Sequence, residues 1–143
     1  MTFPALTETQ LQRIEQALEA VPFAKVIGIQ LELVEPGHAV LSMKIRDELK
    51  QNHGVVHGGA IASLIDSAMA FAIIPLLDEN ERTTTVDLTI HYLRPLTKGS
   101  ARASARVLRA GRRVFTLSAE LFDEQEKLAA TAMSTYLRLT SHN

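Results

Sequence analysis

The chain carries an amphipathic helical pattern near its start. Apolar residues recur three or four positions apart, as they do along one face of a helix: Leu11, Ile14, Ala17, Leu18 and Val21. Thr7 is a suitable N-cap, and Glu8 follows it in the first turn. Pro22 is expected to end this helix, because proline disrupts a helix interior.

Beyond this helix the pattern is that of extended chain, over residues 27 to about 46. Apolar and polar residues alternate from Ala39 to Arg46, which is typical of a strand with one buried face. The tetrapeptide Glu35-Pro36-Gly37-His38 has the composition of a turn. We therefore expect two strands joined at this turn.

A nearly continuous apolar segment follows, from about Gly58 to Pro75. A helix that is apolar on all sides is expected to lie buried in the centre of a fold. Residues 61–77 are slightly too few for a bilayer and include Asp66, so a core helix is favoured over a membrane span.

The remaining chain reads as strands. Three or four are predicted over residues 83–93, 100–109, 113–123 and 127–139, with turn sequences between them. A strand pair, a long apolar helix and a strand series together predict an α+β fold, in which an antiparallel sheet curls around one helix. We expect a single domain over residues 1–143. Its exposed sheet edges would be covered by pairing with a second copy.

Composition narrows the function classes. The chain has 143 residues, 46% of them hydrophobic, which suffices for one buried core. Its net charge is −1 and its lysines and arginines are scattered, so the sequence does not indicate a basic patch for nucleic acid or an anionic membrane. It has no cysteine, hence neither a disulfide nor a thiolate nucleophile. The first residues do not resemble a signal peptide, so we expect a cytoplasmic location.

Candidate chemistry lies at the predicted central helix. Gly58 and Gly59 at its start would let a ligand approach N–H groups that have no intrahelical partner and that favour negative charge. Asp66 is a carboxylate inside an otherwise apolar helix, which is costly unless it is used. The two features predict a site that binds a carbonyl or a developing oxyanion and acts on it with a carboxylate.

Helical geometry adds a constraint to this site. Small residues share a helix face with Asp66: Gly59, Ala62, Ser63 and Ala70. The opposite face is expected in the core, with Ile61, Leu64, Ile65, Ala68 and Ala72. At a rise of about 1.5 Å per residue, Gly58 and Asp66 lie roughly 12 Å apart, too far to act on one carbonyl carbon. They would have to come from different subunits; alternatively, Asp66 only hydrogen-bonds a neighbouring element.

Three motifs together resemble a known family. His57-Gly58-Gly59 is followed nine residues later by Asp66, then by Val86-Asp87-Leu88-Thr89-Ile90-His91-Tyr92-Leu93-Arg94-Pro95, and then by Gly111-Arg112-Arg113. From about Phe23 to Leu139 the chain resembles the hotdog-fold acyl-CoA thioesterases, and within them the phenylacetate-pathway (PaaI-like) branch. The resemblance implies hydrolysis of acyl-CoA to free acid and CoA. It also implies a homodimer with a continuous sheet, often doubled to a tetramer, and no cofactor beyond the CoA of the substrate.

The resemblance also implies roles for single residues. The Gly58 N–H would polarise the thioester oxygen, and Asp66 of the other chain would act as nucleophile or as general base on water. His57 would orient the loop or meet the leaving sulfur. The family has a polar anchor, a glutamine or asparagine, six residues before the histidine. In this chain that position is Gln51, and Asn52 next to it is the alternative.

Further site residues come from the same resemblance. One branch of the family places a hydroxyl four residues after the carboxylate, where this chain has Ala70; Thr85 matches the hydroxyl position of the other branch. The substrate side would include Gly59 and Ser63. Phosphates of CoA would meet three arginines: Arg94, Arg112 and Arg113. The acyl pocket would be lined by residues such as Ser63, Met69, Phe71 and Leu88. The acyl preference, and CoA against acyl carrier protein, stay open.

Other interpretations are weaker. A metal site could be suggested by two histidines and a carboxylate, His53, His57 and Asp66. However, the glutamate that follows the first histidine in zinc proteases is missing, and the glycines argue against one helix that bears both histidines. We therefore expect no metal site. A hotdog dehydratase or hydratase would carry a histidine motif that this chain lacks. A non-catalytic acyl-CoA-binding protein would normally lack the carboxylate.

Overall fold

The computed structural model describes residues 2–141. Two short helices come first, α1 (Glu8–Glu19) and α2 (Pro22–Ile27), then the strands β1 (Gln30–Glu35) and β2 (His38–Lys44), the long helix α3 (Gly58–Ile73), and four further strands: β3 (Glu81–Tyr92), β4 (Ser100–Ala110), β5 (Val114–Phe122) and β6 (Leu128–Thr140). Short 3₁₀ turns lie at Asp47–Leu49 and Ile74–Leu76. The predicted α+β order is confirmed. Met1, His142 and Asn143, which the predicted single domain includes, lie outside the described residues.

The N-terminal helix begins as predicted but ends differently. Thr7 caps α1 in a reciprocal box, since its hydroxyl accepts from the Gln10 N–H while the Gln10 side chain accepts from the Thr7 N–H. Pro22, however, is the first residue of α2, a helix that the sequence did not predict. Proline is tolerated there because the first helical N–H needs no partner. Gly28 then ends α2 in the left-handed conformation, at φ 76°.

All six strands form one antiparallel sheet in the order β1-β2-β4-β5-β6-β3. The predicted hairpin turn at Pro36-Gly37 is present, and Gly37 lies at φ 83°. Its N–H donates 2.9 Å to the carbonyl oxygen of Ala72 near the end of α3. The two edges of the sheet are therefore β1 and β3.

The sheet wraps around α3, and this packing forms the core. The predicted core face of α3 is buried: Ile61, Leu64, Ile65, Ala68 and Ala72. Against it lie three fully buried alanines of β4: Ala101, Ala103 and Ala105. These small side chains let the helix approach the sheet closely. The segment Gly58–Leu76 is long and apolar enough to span a membrane by length and composition alone, but in this fold it is the central helix.

A β-bulge in β3 sets the direction of the side chains at the site. Thr85 pairs with Tyr136, but Asp87 pairs with Thr135, so Val86 is an extra residue. The Asp87 carboxylate accepts from the Thr135 N–H at 2.8 Å, and the Ser134 hydroxyl donates to the Asp87 carbonyl oxygen at 2.5 Å. The bulge is thus stabilised by its own polar contacts, while Thr85 and Tyr136 lie opposite each other.

Candidate active site

His57 is the N-cap of α3. Its backbone is extended, and its Nδ1 accepts from the Gly59 N–H at 2.8 Å. An acceptor at Nδ1 requires the neutral ring with its proton on Nε2. The ring therefore stabilises the helix start and presents a donor at its other nitrogen.

The first N–H groups of α3 are not equivalent. The Gly59 N–H donates to the His57 ring, and the Ala60 and Ile61 N–H groups donate to the His57 carbonyl oxygen at 2.9 and 3.4 Å. Within residues 2–141 the Gly58 N–H has no hydrogen-bond partner. At the positive end of the helix dipole, this group is a ready donor to an anionic oxygen.

Both glycines of the motif have close neighbours. A Cβ at Gly58 would lie 3.2 Å from the Tyr92 ring, whose hydroxyl donates to the Gly58 carbonyl oxygen at 2.9 Å. A Cβ at Gly59 would lie 2.9 Å from the His57 Nδ1. The His-Gly-Gly sequence thus combines a ring that folds over the helix start with residues small enough to accept it.

Asp66 lies eight positions after Gly58 on α3 and accepts hydrogen bonds from two hydroxyl groups. Both reach the same carboxylate oxygen, Oδ1, from Thr85 Oγ1 at 2.8 Å and from the Tyr136 hydroxyl at 2.5 Å. The Tyr136 hydroxyl is also 2.7 Å from the Asp66 carbonyl oxygen. Oδ2 has no hydrogen-bond partner in the described part of the chain. Thr85 was a candidate from the sequence, whereas Tyr136 was not.

The Tyr136 hydroxyl is held in its neutral form. Burial raises the pKa of Tyr136 strongly, and its hydrogen bond to Asp66 acts in the same direction. The hydroxyl therefore keeps its proton at neutral pH and can donate it to a hydrogen bond. It orders the carboxylate without neutralising its charge.

Two grooves flank the start of α3. One, of about 250 Å³, is lined by Phe23 and Ile27 of α2 together with Leu49, His57 and Ser63. The other, of about 290 Å³, is lined by Gly58, Tyr92 and Arg94, among others. Ser63 lies on the Asp66 face of α3, and its hydroxyl donates to the Gly59 carbonyl oxygen at 2.7 Å.

Two residues expected in the acyl pocket are buried within the single chain. Met69 and Phe71 lie in the core, at 0% and 6% exposure, and neither lines either groove at the start of α3, so their place in the acyl pocket stays a prediction. They sit on sides of α3 that the sheet covers, which helical spacing alone did not distinguish. Leu88 is half-buried on the edge strand.

The loop before His57 is tightly closed. The Gln51 amide oxygen accepts from the His53 N–H at 3.2 Å, and the Gln51 N–H donates to the Val55 carbonyl oxygen at 2.8 Å. Asn52 is exposed beside it. Gln51 thus orders the loop that leads into the cap, and its choice over Asn52 as the polar anchor stays a prediction.

The arginines do not form one surface within a chain. Arg94 lies beyond the end of β3, at the start of α3. Arg112 and Arg113 lie in the turn between β4 and β5. The Arg113 carbonyl oxygen accepts a hydrogen bond from the backbone N–H of Arg138 on β6. Arg138 pairs with Thr83, which lies at the opposite end of β3 from Arg94. The single chain therefore separates the two groups by most of the length of the sheet. Within residues 2–141 no cluster of three or more metal-ligating side chains occurs.

Comparison with known proteins identifies the family. The sequence profile of the thioesterase superfamily matches residues 53–130, more than half of the chain. The chain belongs to the thioesterase superfamily. It is 32% identical to YigI of Escherichia coli, a medium/long-chain acyl-CoA thioesterase, over 86% of this chain and 94% of YigI. It is 30% identical to the acyl-coenzyme A thioesterase PaaI of Escherichia coli over 75% of each chain.

Solved structures agree with this assignment. The structure of Escherichia coli PaaI superimposes with a TM-score of 0.83 and 26% sequence identity, covering 92% of this chain and 94% of that one. The hotdog fold and the thioester hydrolase class, both inferred from the motif, are confirmed. Tyr136 lies outside the matched stretch, so neither the motif nor the superfamily profile points to it.

The effect of Gly59→Ala on the stability of this thioesterase should depend on the His57 ring. Alanine in a helix normally stabilises by about 1 kcal/mol relative to glycine. Here the new Cβ would displace the His57 ring and remove its cap, which costs about 0.5–2 kcal/mol and offsets that gain. We expect Gly59→Ala in the wild type not to give the usual rise in Tm in thermal unfolding.

The double-mutant cycle supplies the control. In a His57→Ala background the ring is gone, and Gly59→Ala should raise the Tm. An equal change in Tm for Gly59→Ala in the wild type and in the His57→Ala background would show that the ring does not occupy this position.

Proposed function

We propose that this thioesterase hydrolyses acyl-CoA thioesters to a free acid and coenzyme A, at sites shared by two chains. The observation that carries the proposal lies along α3: within residues 2–141, a Gly58 N–H and an Asp66 carboxylate oxygen each lack a partner. The two relatives named as acyl-CoA thioesterases support CoA thioesters as the substrate class.

One α3 helix cannot bring both groups to one carbonyl. They are separated by eight positions of continuous helix, which is roughly 12 Å at about 1.5 Å per residue. An oxyanion donor must lie about 3 Å from the oxygen, and the attacking atom must reach the carbon bonded to it. We infer that Gly58 of one chain acts together with Asp66 of a second chain.

The edge strand β3 is suited to such pairing. It has 12 residues, and Val86 and Tyr92 on it are about half exposed. The other edge, β1, has only six residues, a bulge and two glutamates, features that protect an edge from pairing. A two-fold axis at β3 would place the Tyr92 end of one chain, where Gly58 lies, beside the Thr85 half of the other, where Asp66 lies.

At a shared site the chemistry follows from these groups. The thioester oxygen accepts from the Gly58 N–H at the positive end of α3, which stabilises the developing negative charge. Oδ2 of Asp66 either attacks the carbonyl carbon or takes a proton from the attacking water. If Oδ2 attacks, the C–S bond breaks as a mixed anhydride with Asp66 forms, and water then hydrolyses the anhydride to the free acid. If Asp66 acts as the base, water attacks the carbon directly and the C–S bond breaks. In both routes the proton lost by water ends on the thiolate sulfur, to which the His57 Nε2–H beside the helix start can donate a hydrogen bond.

A two-fold arrangement would also account for the separated arginines. Reversal of direction at β3 would bring Arg94 of one chain towards Arg112 and Arg113 of the other, where they could bind the phosphates of CoA. The apolar groove with Phe23 and Ile27 beside His57 would take the acyl group.

The remaining expectations follow from this reaction. The enzyme would act in the cytoplasm as a dimer, or as a tetramer of two dimers, and would require no metal or cofactor besides the CoA of its substrate. A non-catalytic acyl-CoA-binding protein, or a dehydratase or hydratase on the same fold, would release no thiol from acyl-CoA.

Replacing Asp66 with asparagine should abolish most of the activity. Asp66→Asn preserves shape but removes the attacking carboxylate, so turnover should fall by about two orders of magnitude or more. Turnover is measured as the free thiol released from CoA esters with short-chain, medium-chain, long-chain and aryl-acetyl groups. Asp78→Asn, at an exposed carboxylate after α3, is the matched control and should keep wild-type rates. Near-normal hydrolysis by folded Asp66→Asn would reject the mechanism.

A proline can remove the oxyanion donor. Gly58→Pro deletes the N–H and adds a ring, and the position suits proline because it is the first helical residue and His57 is extended before it, at φ −61° and ψ 134°. Gly58→Ala is the control, since it adds a Cβ near Tyr92 but keeps the donor. We expect kcat for Gly58→Pro to be about 100- to 1,000-fold below that of Gly58→Ala. Equal rates would exclude this N–H from catalysis.

A further inference from the structure

We propose that Tyr136 is a positioning residue for the reaction: its hydroxyl, with that of Thr85, holds Oδ1 of Asp66 so that Oδ2 is the working oxygen. This inference rests on the proposed function of Asp66. It assigns a role to a residue outside the stretch that matches the superfamily profile.

The Tyr136 hydroxyl lies between two oxygens of Asp66, which share its single proton. The hydroxyl reaches both the backbone carbonyl oxygen and Oδ1 of Asp66, at 2.7 and 2.5 Å. Because the hydroxyl contacts both the main chain and the side chain of Asp66, it keeps the carboxylate close to the helix backbone. This contact limits rotation about the Cα–Cβ bond of Asp66. Thr85 then holds the same oxygen from β3 at 2.8 Å.

Packing alone does not require this hydroxyl. Tyr136 is 1% exposed, and its direct cross-strand partner on β5 is Phe115, also fully buried. The inner face of the sheet therefore accepts an aromatic ring without a hydroxyl beside this position. What distinguishes Tyr136 is that its hydroxyl meets Asp66 of α3.

Two donors on one oxygen have a chemical consequence. A carboxylate that can rotate presents either oxygen, with varying geometry, to a water or a carbonyl carbon. When both neutral donors occupy Oδ1, the charge is retained and Oδ2 keeps one orientation. Catalytic groups held within a narrow range of geometry react faster, so loss of the tether should appear in kcat.

The test is Tyr136→Phe, which removes only the hydroxyl. We expect kcat to fall about 10- to 100-fold, the range for losing a hydrogen bond to a charged group, while KM changes less than about threefold. Ser104→Ala is the matched control. It removes another half-buried sheet hydroxyl, bonded to His38 and not to Asp66, and it should keep the wild-type kcat.

A cycle with Asp66→Asn separates positioning from a general structural role. If Tyr136 acts through the carboxylate, Tyr136→Phe should lower kcat in the wild type but not in the Asp66→Asn background. An equal loss in both backgrounds, or no loss in the wild type, would overturn the inference. A fully active Asp66→Asn enzyme would instead overturn the proposed function itself.

A spectroscopic measurement covers the case in which Tyr136→Phe does not fold. The chain has two tyrosines, so Tyr92→Phe leaves Tyr136 as the single reporter. Its Raman Fermi doublet should indicate a strong proton donor, and Asp66→Asn should weaken that signature. A doublet that does not respond to Asp66→Asn would overturn the inference.

Discussion

Helix α3 keeps the Gly58 N–H and the Asp66 carboxylate at a fixed separation, because both belong to one continuous helix of 16 residues. The helix contains no proline, the commonest cause of a kink, and it packs against the sheet. A carbonyl bound at one group is therefore out of reach of the other group of the same chain. The proposed site, which uses both groups, therefore calls for two chains whatever the substrate is.

The rest of the fold serves this helix. Alanines of β4 let the sheet pack closely around it, and the hairpin turn at Gly37 satisfies the carbonyl of Ala72 near its end. At its start, His57 caps the Gly59 N–H, while the Gly58 N–H before it has no partner among residues 2–141. The bulge at Val86 aligns Thr85 with Tyr136, so that both hydroxyls reach one oxygen of Asp66. Packing, capping and strand register thus each determine one part of the site.

Sequence predicted the elements that have a strong period and missed those set by tertiary contact. The central helix and the strands follow from hydrophobic spacing, and Thr7 follows from capping chemistry. Helix α2 was missed because Pro22 was interpreted only as a terminator, although proline also suits a helix start. Tyr136 could not be predicted, because it is 70 residues from Asp66 and a tyrosine in an alternating strand is typical of ordinary core. The separation of Arg94 from Arg112 and Arg113 likewise required the strand order.

Mixing two inactive chains tests the shared site most directly. Asp66→Asn and Gly58→Pro proteins would be unfolded, combined in equal amounts and refolded together. Random pairing makes about half of the dimers mixed, and each mixed dimer then has one intact site and one doubly damaged site. The account predicts recovery of about a quarter of wild-type activity, in a species whose mass by light scattering is at least that of a dimer. Activity no higher than the mean of the two parents would show that both groups act within one chain.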